Sequence, residues 1–237
     1  THVRISLVKD AAGNYLQGYT TDRPVAAAAV PTIDPAQTAA IETNKISVKF
    51  NQPILSNTIS PADFIVSSAG QRLTVIAAAA DGADKVVLTL ADATKLDGTG
   101  KYQGDPVSVT MVTNPSTSSP AGIQAAGTAS ALVDKIKPTL KQVTGSVDGL
   151  SLTVEFNEDL KSFTAADLAS VATDFVVKDK DGNVLIPNGT GANGYTVSTT
   201  SDASKLQIVF NAAQKGIMKV KLQEPRFVAD VSGNIAK

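Results

Sequence analysis

The sequence predicts an all-β protein built from two consecutive sandwich domains. Short segments place apolar residues at every second position, which is the period of a strand with one buried face. Asp-Gly and Asn-Gly pairs separate these segments, and such pairs accept the positive φ angles of tight hairpin turns. The pattern also repeats along the chain, since Ile46–Ile54 aligns with Leu152–Leu160 at an offset of 106 residues. Strands that recur every 8–12 residues between such turns are typical of sandwiches and barrels.

The individual elements follow from the same alternation. It is clearest in Ile46–Phe50 and Leu150–Phe156. Further strands are predicted at Val86–Leu90, Val107–Val112, Tyr195–Thr199, Leu206–Phe210 and Met218–Leu222. The turns are predicted at Asp81-Gly82, Asp148-Gly149, Asp181-Gly182-Asn183 and Asn193-Gly194. One short helix is predicted at Thr164–Ala172, whereas Ala77–Ala80 favours a helix by propensity but is short and flanked by strand-like sequence.

The internal repeat sets the predicted domain boundaries. Each unit begins with a charged segment that ends in proline, Asp22–Pro24 in one case and Asp134–Pro138 in the other. Proline fixes φ and donates no hydrogen bond, so it suits a stiff start to a first strand. We therefore predict domains at residues 22–133 and 134–237. Residues 1–21 are predicted to be the final strand of a preceding repeat, with an ordinary N-terminal hairpin as the alternative, because both Asp10–Asn14 and Asp230–Asn234 read Asp-x-x-Gly-Asn.

The composition excludes several classes of function. The 21 basic and 22 acidic residues give a net charge of −1, which does not provide the basic surface that binding to nucleic acid requires. There is no cysteine, and His2 is the only histidine, so thiol catalysis, Cys-zinc sites and histidine mechanisms are not expected. Glu158 and Asp159 could act as paired carboxylates, but adjacent residues in an extended loop point apart. We expect a structural protein and not an enzyme.

No targeting signal or membrane span is predicted from the sequence. The first residues lack a basic segment followed by an apolar stretch, and the apolar runs fall well short of the roughly 20 residues of a span. The sequence begins without methionine, which suggests a mature protein or an excised fragment. We expect no insertion into a membrane.

A set of motifs in the second unit resembles a known family. They are the strand Val154–Leu160, the segment Phe175–Asn183 and the turn Asp230–Asn234. Their order after an opening proline resembles the tandem bacterial immunoglobulin-like (Ig-like) domains of surface-layer (S-layer) proteins. The resemblance implies tandem Ig-like β-sandwich domains in an exported protein that forms a two-dimensional lattice on the bacterial cell surface. Its partners would be copies of itself and a cell-wall polymer, the latter bound through domains outside this chain.

Calcium is the ligand for which the sequence offers candidate residues. In an Ig-like sandwich the loop between the second and third strands lies at the end where the chain enters, which places Glu158 and Asp159 near Asp134. Three carboxylates at one junction repel each other unless a positive charge lies among them. That charge is either Ca²⁺, which prefers oxygen ligands, or neighbouring lysines (Lys135, Lys137 and Lys161). Asp179–Asn183 has the first residues of an EF-hand loop but not its last ligand, so a hairpin turn is the preferred interpretation there.

The Ala-rich segments leave two interpretations open. Val25–Val30, Val75–Ala80 and Ile123–Val133 carry little charge and small side chains. We take them as core strands by default and predict that one of them forms a lattice contact. The function predicted from the sequence is a rigid building block of a surface layer, with calcium stabilising its junctions. The alternatives are a stalk or binding domain of a surface adhesin and an accessory domain of a secreted polysaccharide enzyme.

Overall fold

The computed structural model describes residues 2–3, 11–12, 23–24 and 28–237 of the chain. Nearly all regular structure in these residues is β-strand, so the predicted all-β fold is confirmed. The strands are β1 (His2–Val3), β2 (Arg23–Pro24), β3 (Ala39–Glu42), β4 (Lys45–Lys49), β5 (Phe64–Ser68), β6 (Gln71–Leu73), β7 (Val75–Ala80), β8 (Lys85–Leu90), β9 (Val107–Met111), β10 (Thr128–Ala129), β11 (Val133–Asp134), β12 (Leu140–Gly145), β13 (Ser151–Phe156), β14 (Phe175–Lys178), β15 (Ile186–Pro187), β16 (Gly194–Thr199), β17 (Lys205–Phe210) and β18 (Lys219–Leu222). One α-helix, α1 (Ala165–Ala172), and 3-10 turns at Ser56–Thr58, Pro61–Asp63 and Asp92–Thr94 complete the described elements. None of the helices in the described residues is long and apolar enough to cross a membrane.

The first unit, residues 28–134, consists of two sheets that face each other. One has the strand order β11-β3-β4-β8-β7 and the other the order β10-β9-β5-β6. All neighbouring strands are antiparallel except β11 and β3, which are parallel. The last strand of the unit ends at Asp134, so the residue that leads into the second unit is held by the first.

The second unit, residues 137–237, repeats this plan with fewer strands, since Lys135 and Ile136 still contact the first unit. Its larger sheet has the order β12-β13-β17-β16-β15, and β14 pairs with β18 in a second sheet. The predicted helix is confirmed as α1, which begins after Thr164. The Thr164 side chain accepts from the backbone N–H of Asp167, and the Asp167 side chain accepts from that of Thr164, which is the reciprocal capping box of a stable helix start.

Each unit has its own hydrophobic core. The alternation in the sequence is reproduced in β4, β8, β13 and β17, where every second side chain is buried. The largest fully buried side chains include Phe50, Phe64 and Leu88 in the first unit and Phe156, Tyr195 and Ile208 in the second. At about 1.5–3 kcal/mol for each buried aliphatic or Phe side chain, these alternating strands supply most of the driving force for folding.

The prediction of a core strand was wrong for Val75–Ala80. This segment forms β7, the outermost strand of its sheet, and most of its side chains are exposed, including Ile76 at 60%. Its run of alanines lacks the apolar–polar alternation that marks a buried face, and a register shift between Val75 and Ala77 bends it away from ideal pairing. The prediction for residues 1–21 falls mainly outside the described residues, and so does the start of Val25–Val30.

The two units share a set of equivalent hydrogen bonds. Phe50 N donates to Asp84 O at 2.8 Å in the first unit, and Phe156 N donates to Ser204 O at 2.9 Å in the second. A buried aspartate in each unit then holds the final segment of that unit. Asp63 accepts from Ser116 Oγ and from the backbone and hydroxyl groups of Thr117 at 2.7–2.8 Å.

In the second unit this role falls to Asp174, which is only 2% exposed. Its carboxylate accepts from the backbone N–H groups of Arg226, Phe227 and Val228 at 2.8–3.0 Å. The bonded segment leads directly into the turn that carries Asp230. These buried carboxylates therefore fix the last turn of each unit from inside the fold.

We predict that Asp174→Asn lowers the free energy of unfolding by about 2–4 kcal/mol. The Asp174 carboxylate accepts hydrogen bonds from backbone N–H groups, whereas asparagine would place an NH₂ group, itself a donor, against one of them. Each hydrogen bond to a charged group contributes roughly 1.5–3 kcal/mol. Chemical denaturation measures the loss, with Asp92→Asn as the control because the Asp92 side chain is largely exposed. Equal denaturation midpoints for the two variants would contradict the assigned role of Asp174.

Candidate metal centre

Three carboxylates from separate segments meet at the junction between the units. Asp134 ends β11, Glu158 lies in the loop after β13, and Asp230 begins the turn before the final residues of the second unit. One carboxylate oxygen from each lies within 4.8 Å of the other two. Carboxylate oxygens are the type of ligand that a hard divalent cation prefers, so these three residues are candidate ligands.

The Asp230 turn is held rigidly by its own side chains. Asp230 Oδ1 accepts from Asn234 N, and Asp230 Oδ2 accepts from Asn234 Nδ2, both at 2.8 Å. Gly233 adopts φ +84°, a left-handed conformation that glycine accepts without strain. The Asp-x-x-Gly-Asn turn therefore holds the Asp230 side chain, which is 1% exposed, in a fixed position.

The same turn binds the linker. Ser232 Oγ donates to Asp134 Oδ2 at 3.0 Å, and Asn234 Nδ2 donates to the Asp134 carbonyl at 3.2 Å. Asp134 Oδ1 accepts from Ile136 N at 3.0 Å. Burial raises the pKa of the Asp134 carboxyl above its usual range, the hydrogen bonds from Ile136 and Ser232 oppose this, and the charges of Asp230 and Asp97 add to the rise.

Glu158 is the unusual member of the group. It is 6% exposed, and neither of its carboxylate oxygens makes a hydrogen bond of good geometry with a described residue. Burial, together with the negative charges of Asp230 and Asp134, raises the pKa of Glu158 to about 8. An isolated buried carboxylate without a partner is strongly unfavourable, so this side chain requires either a proton or a cation.

The first unit covers Glu158. A Cβ atom added to Gly98 would lie 2.5 Å from the Glu158 Cβ and 3.0 Å from the Asn157 carbonyl, so only glycine allows this approach. The neighbouring Asp97 is held in place because its Oδ1 accepts from the backbone N–H groups of Thr99 and Lys101 at 2.8 and 3.0 Å. The candidate site therefore has walls from both units.

The structure brings together two of the three metal ligands that the sequence predicts. Asp134 and Glu158 are in the group, whereas Asp159 is exposed and is not part of it. Asp230 was not predicted as a ligand. The signal that could have identified it is the Asp-x-x-Gly-Asn motif, whose position at the end of the unit brings the turn back to the start of the unit.

The lysines named as alternative partners lie elsewhere. Lys135, Lys137 and Lys161 are exposed, and none of the ion pairs within 4.0 Å among the described residues joins them to the three carboxylates. Lys161 Nζ instead lies 5.6 Å from the centre of the Phe163 ring. Positive charge from these side chains therefore does not relieve the repulsion in the cluster.

The second candidate, Asp179–Asn183, is a turn, so the preferred interpretation of this segment is confirmed. Asp179 Oδ1 accepts from the backbone N–H groups of Asp181 and Asn183 at 2.9 Å, and Asp179 Oδ2 accepts from Asn183 Nδ2 at 2.9 Å. The Asp179 carboxylate therefore accepts its hydrogen bonds from its own loop, which forms the turn after β14.

The matching positions of the first unit carry no charge. Asn51 Oδ1 accepts from Thr32 N at 2.8 Å, and Asn157 Oδ1 accepts from Thr139 N at 2.6 Å, so the two asparagines are equivalent. The residue that follows each asparagine is then also equivalent, and Gln52 takes the place of Glu158. Ser119 N donates to Ile123 O as Asp230 N donates to Asn234 O, so Ser119 takes the place of Asp230. The acidic cluster is therefore an addition to the shared scaffold and not a requirement of it.

Comparisons with known proteins give weak structural similarity. The chain is similar to the N-terminal part of the bacterial S-layer protein SbsC, with 15% identity and a TM-score of 0.37 over 88% of this chain and 44% of that one. It is similar to rSbsC(31-844), with 17% identity and a TM-score of 0.38, and to domains 1–6 of SbsC, with 18% identity and a TM-score of 0.38. The chain spans less than half the length of each solved structure, 25% of the second and 26% of the third. No family model matches the chain, and no curated protein does.

We predict that, in metal-free buffer, the protein becomes less stable as the pH rises from about 4.5 through about 8. The folded state keeps the Glu158 proton up to a pKa of about 8, whereas the unfolded chain releases it near the ordinary value of 4.5. The stabilisation is therefore complete below pH 4.5 and is lost as the pH passes 8. Denaturation in EDTA across this range measures the slope, which Glu158→Gln should flatten.

Asp159→Asn is the matched control, because it removes the adjacent but exposed carboxylate. This variant should retain the slope of the unmodified protein. The same slope in Glu158→Gln and in the unmodified protein would show that Glu158 is not the group that titrates.

Proposed function

We propose that the chain is a structural module of a self-assembling bacterial surface layer, in which a calcium ion fixes the orientation of consecutive Ig-like units. The observation that carries this proposal is the buried, unpartnered carboxylate of Glu158 between Asp134 and Asp230 at the junction. Because residues of both units form this site, a bound ion would fix the orientation of one unit relative to the other. The role of the site would therefore be mechanical.

The donor set favours calcium over other metals. Only carboxylate oxygens are present, since the chain has no cysteine and its one histidine is His2. Soft or borderline metals prefer sulfur and nitrogen ligands. Magnesium requires near-ideal octahedral geometry and retains its waters, whereas calcium accepts six to eight oxygens in flexible geometry. Backbone carbonyls and waters would complete the coordination.

The linker is short enough for one ion to determine its geometry. Ile136 is 4% exposed and packs into the core of the first unit. The Pro138 carbonyl accepts from Lys237 N at 3.0 Å and so belongs to the second unit. Few residues are left to bend between these anchors. Calcium would tie the end of β11 to the loop and the turn of the second unit.

Strand β7 is the proposed lattice contact. Its outer edge pairs with no other strand in the part of the chain that the structure describes, and Ala77, Ala79 and Ala80 are exposed beside Ile76. Small side chains allow a neighbouring backbone to approach closely, and an exposed edge strand presents free N–H and C=O groups. This edge would meet another copy of the protein at the cell surface, with attachment to a wall polymer through other domains.

We predict that calcium raises the stability of the protein by about 2.7 kcal/mol at a concentration one hundred times its dissociation constant. The double variant Asp134→Asn/Asp230→Asn should lose this effect, because it removes two of the three charged ligands. Calorimetric titration with calcium, together with thermal unfolding, measures both quantities. Asp159→Asn is the control and should bind as the unmodified protein does. Equal binding by the double variant would refute the site.

We predict that Ala77→Lys/Ala79→Lys prevents the parent protein from forming ordered sheets while leaving its units folded. The lysines add charge and length where close approach is proposed. Electron microscopy in calcium shows the presence or absence of sheets, and circular dichroism checks the fold. The control is Ala36→Lys/Ala121→Lys, which places the same charges on exposed loops. Unchanged sheets in the β7 variant would remove β7 as a contact.

A further inference from the structure

Three lysines share the outer face of the small sheet in the second unit. Strands β14 and β18 pair antiparallel, with Lys178 directly opposite Lys219, so these two side chains lie on the same face. Lys221 lies two residues further along β18 and therefore on that face as well. Phe175 and Val177 occupy the alternate positions of β14 and are buried, which leaves the lysines facing outward.

The three lysines have no acidic partner among the described residues. Like charges directly opposite each other in a sheet are destabilising. None of the described ion pairs within 4.0 Å includes any of the three. Asp179 in the next turn accepts hydrogen bonds from its own loop, Asp181 pairs with Lys180, and Glu224 beyond β18 is exposed. The repulsion on this face is therefore not relieved by these acids.

The first unit shows how an acid relieves the same arrangement. Lys49 of β4 lies directly opposite Lys85 of β8. Asp84 forms an ion pair with Lys49, and the hydrogen bond from Lys49 together with the charges of both lysines holds the pKa of the Asp84 carboxyl below its usual range. Acids also pair with the remaining strand lysines outside β14 and β18, which are Lys45, Lys141 and Lys205.

The shared scaffold does not require lysine on this face. Counted from the buried Asp63 and Asp174, strands β5 and β9 pair in the same register as β14 and β18. There Ser67 lies opposite Ser108, their hydroxyl groups share a hydrogen bond of 3.0 Å, and Thr110 takes the position of the third lysine. These side chains are also partly exposed. The exposure of the face is thus a property of the sandwich, whereas its charge is specific to the second unit.

The surface around the lysines is aliphatic. Val184 lies opposite Lys178 on its other side and is exposed. Lysine stems lie along such apolar surface while their ammonium groups stay in water. A groove without aromatic rings offers neither a base nor a sugar a stacking surface. The groove on this face has a volume of about 370 Å³ and is lined by Val176, Lys178, Lys219, Val220 and Lys221.

The spacing of the charges favours a linear anion with a short repeat. At about 3.4 Å per residue, Lys219 and Lys221 lie about 6.8 Å apart along β18. Lys178 is offset by roughly 5 Å across the strand pair. An ammonium group binds phosphate as a point charge, without the fixed fork of arginine. Phosphodiester groups joined by three-carbon units repeat at a comparable interval and carry no ring.

A second copy of the chain matches the face less well. Four exposed acids make no hydrogen bond or ion pair among the described residues. They lie in separate loops and do not form a row that would match the three lysines. These acids are Asp81, Asp105, Asp159 and Glu224.

We propose that the outer face of β14 and β18 binds a linear polymer of glycerol phosphate. The ammonium groups of Lys178, Lys219 and Lys221 each contact one phosphate, and the polymer runs along β18. The phosphates supply the negative charge that relieves the repulsion between the lysines. This contact is separate from the calcium site, from strand β7 and from any attachment through other domains.

The test is a titration of the full chain with a synthetic glycerol phosphate oligomer long enough to span the three lysines. It is performed in EDTA at several salt concentrations, so that the calcium site does not contribute. The logarithm of the affinity should fall with the logarithm of the salt concentration with a slope of about −2, since each phosphate contact of a single-stranded polyanion contributes about −0.7. Lys178→Gln/Lys219→Gln/Lys221→Gln should lower the affinity about tenfold or more and bring the slope close to zero.

Two controls separate the lysine face from net charge and from folding. Lys101→Gln/Lys137→Gln/Lys161→Gln removes the same charge from exposed positions elsewhere and should keep the affinity and the slope. Without the oligomer, the variant with glutamines on β14 and β18 should unfold at the same temperature as the unmodified chain or higher, because it lacks the opposed charges. Loss of binding in a variant of that stability is not a loss of fold.

Four results would overturn the proposal. Equal affinity of the β14–β18 variant and the unmodified chain would show that the lysines do not bind the oligomer. An equal loss in the control variant would show that only net charge matters. Equally tight binding of monomeric glycerol phosphate, or of a single-stranded oligonucleotide of the same charge, would remove the requirement for a ring-free polymer. Self-association without the oligomer that depends on the three lysines would identify a second copy as the occupant.

Discussion

The junction depends on one constraint, the burial of the Glu158 carboxylate between two other carboxylates. The effective penalty of burying a charge without a partner is several kcal/mol, and neighbouring negative charges add to it. The side chain is neutral when it holds a proton, and it is compensated when a cation lies between the three groups. In the proposed site, protonation and calcium binding would compete for the same oxygens, and each would relieve the same repulsion. Gly98 of the first unit lies against Glu158, so under the proposal this competition would be coupled to the orientation of the two units.

The two units show which features belong to the scaffold and which to the site. Buried Asp63 and Asp174 each hold the last segment of their unit by hydrogen bonds, and equivalent asparagines fix the first strand. These features recur because the fold requires them. The acidic residues do not recur, since Gln52 stands where the second unit has Glu158. Among the described residues, the acidic group is therefore specific to the junction between the two units.

Much of the fold follows from local patterns in the sequence. Leu152, Val154 and Phe156 alternate with polar residues and are all buried, as period-two patterning requires. Helix α1 begins where Thr164 and Asp167 form their capping box. Strand β7 could not be placed in this way, because alanine is compatible with a core, an edge and a helix alike. Its exposure results from its position at the end of a sheet, which is a property of the topology.

The site was only partly predictable for a similar reason. The loop after β13 was expected near Asp134, and alternation within that loop buries Glu158 while Asp159 faces solvent. The period-two pattern of Leu152, Val154 and Phe156, extended by one step into the loop, would have selected Glu158 and not Asp159 as the inward side chain. Asp230 lies almost one hundred residues beyond Asp134 in the chain, and only the closed sandwich brings its turn back to the linker.

The most direct test of the account is the relative orientation of the two units with and without calcium. Residual dipolar couplings measured by NMR at pH 9 report an alignment tensor for each unit. In calcium, both units should share one tensor, because the ion joins Asp134 to Glu158 and Asp230. In EDTA at the same pH, the tensors should differ in magnitude, because the deprotonated carboxylates repel each other and the units move independently. Identical tensors in both conditions would contradict the claim that the acidic cluster controls the junction.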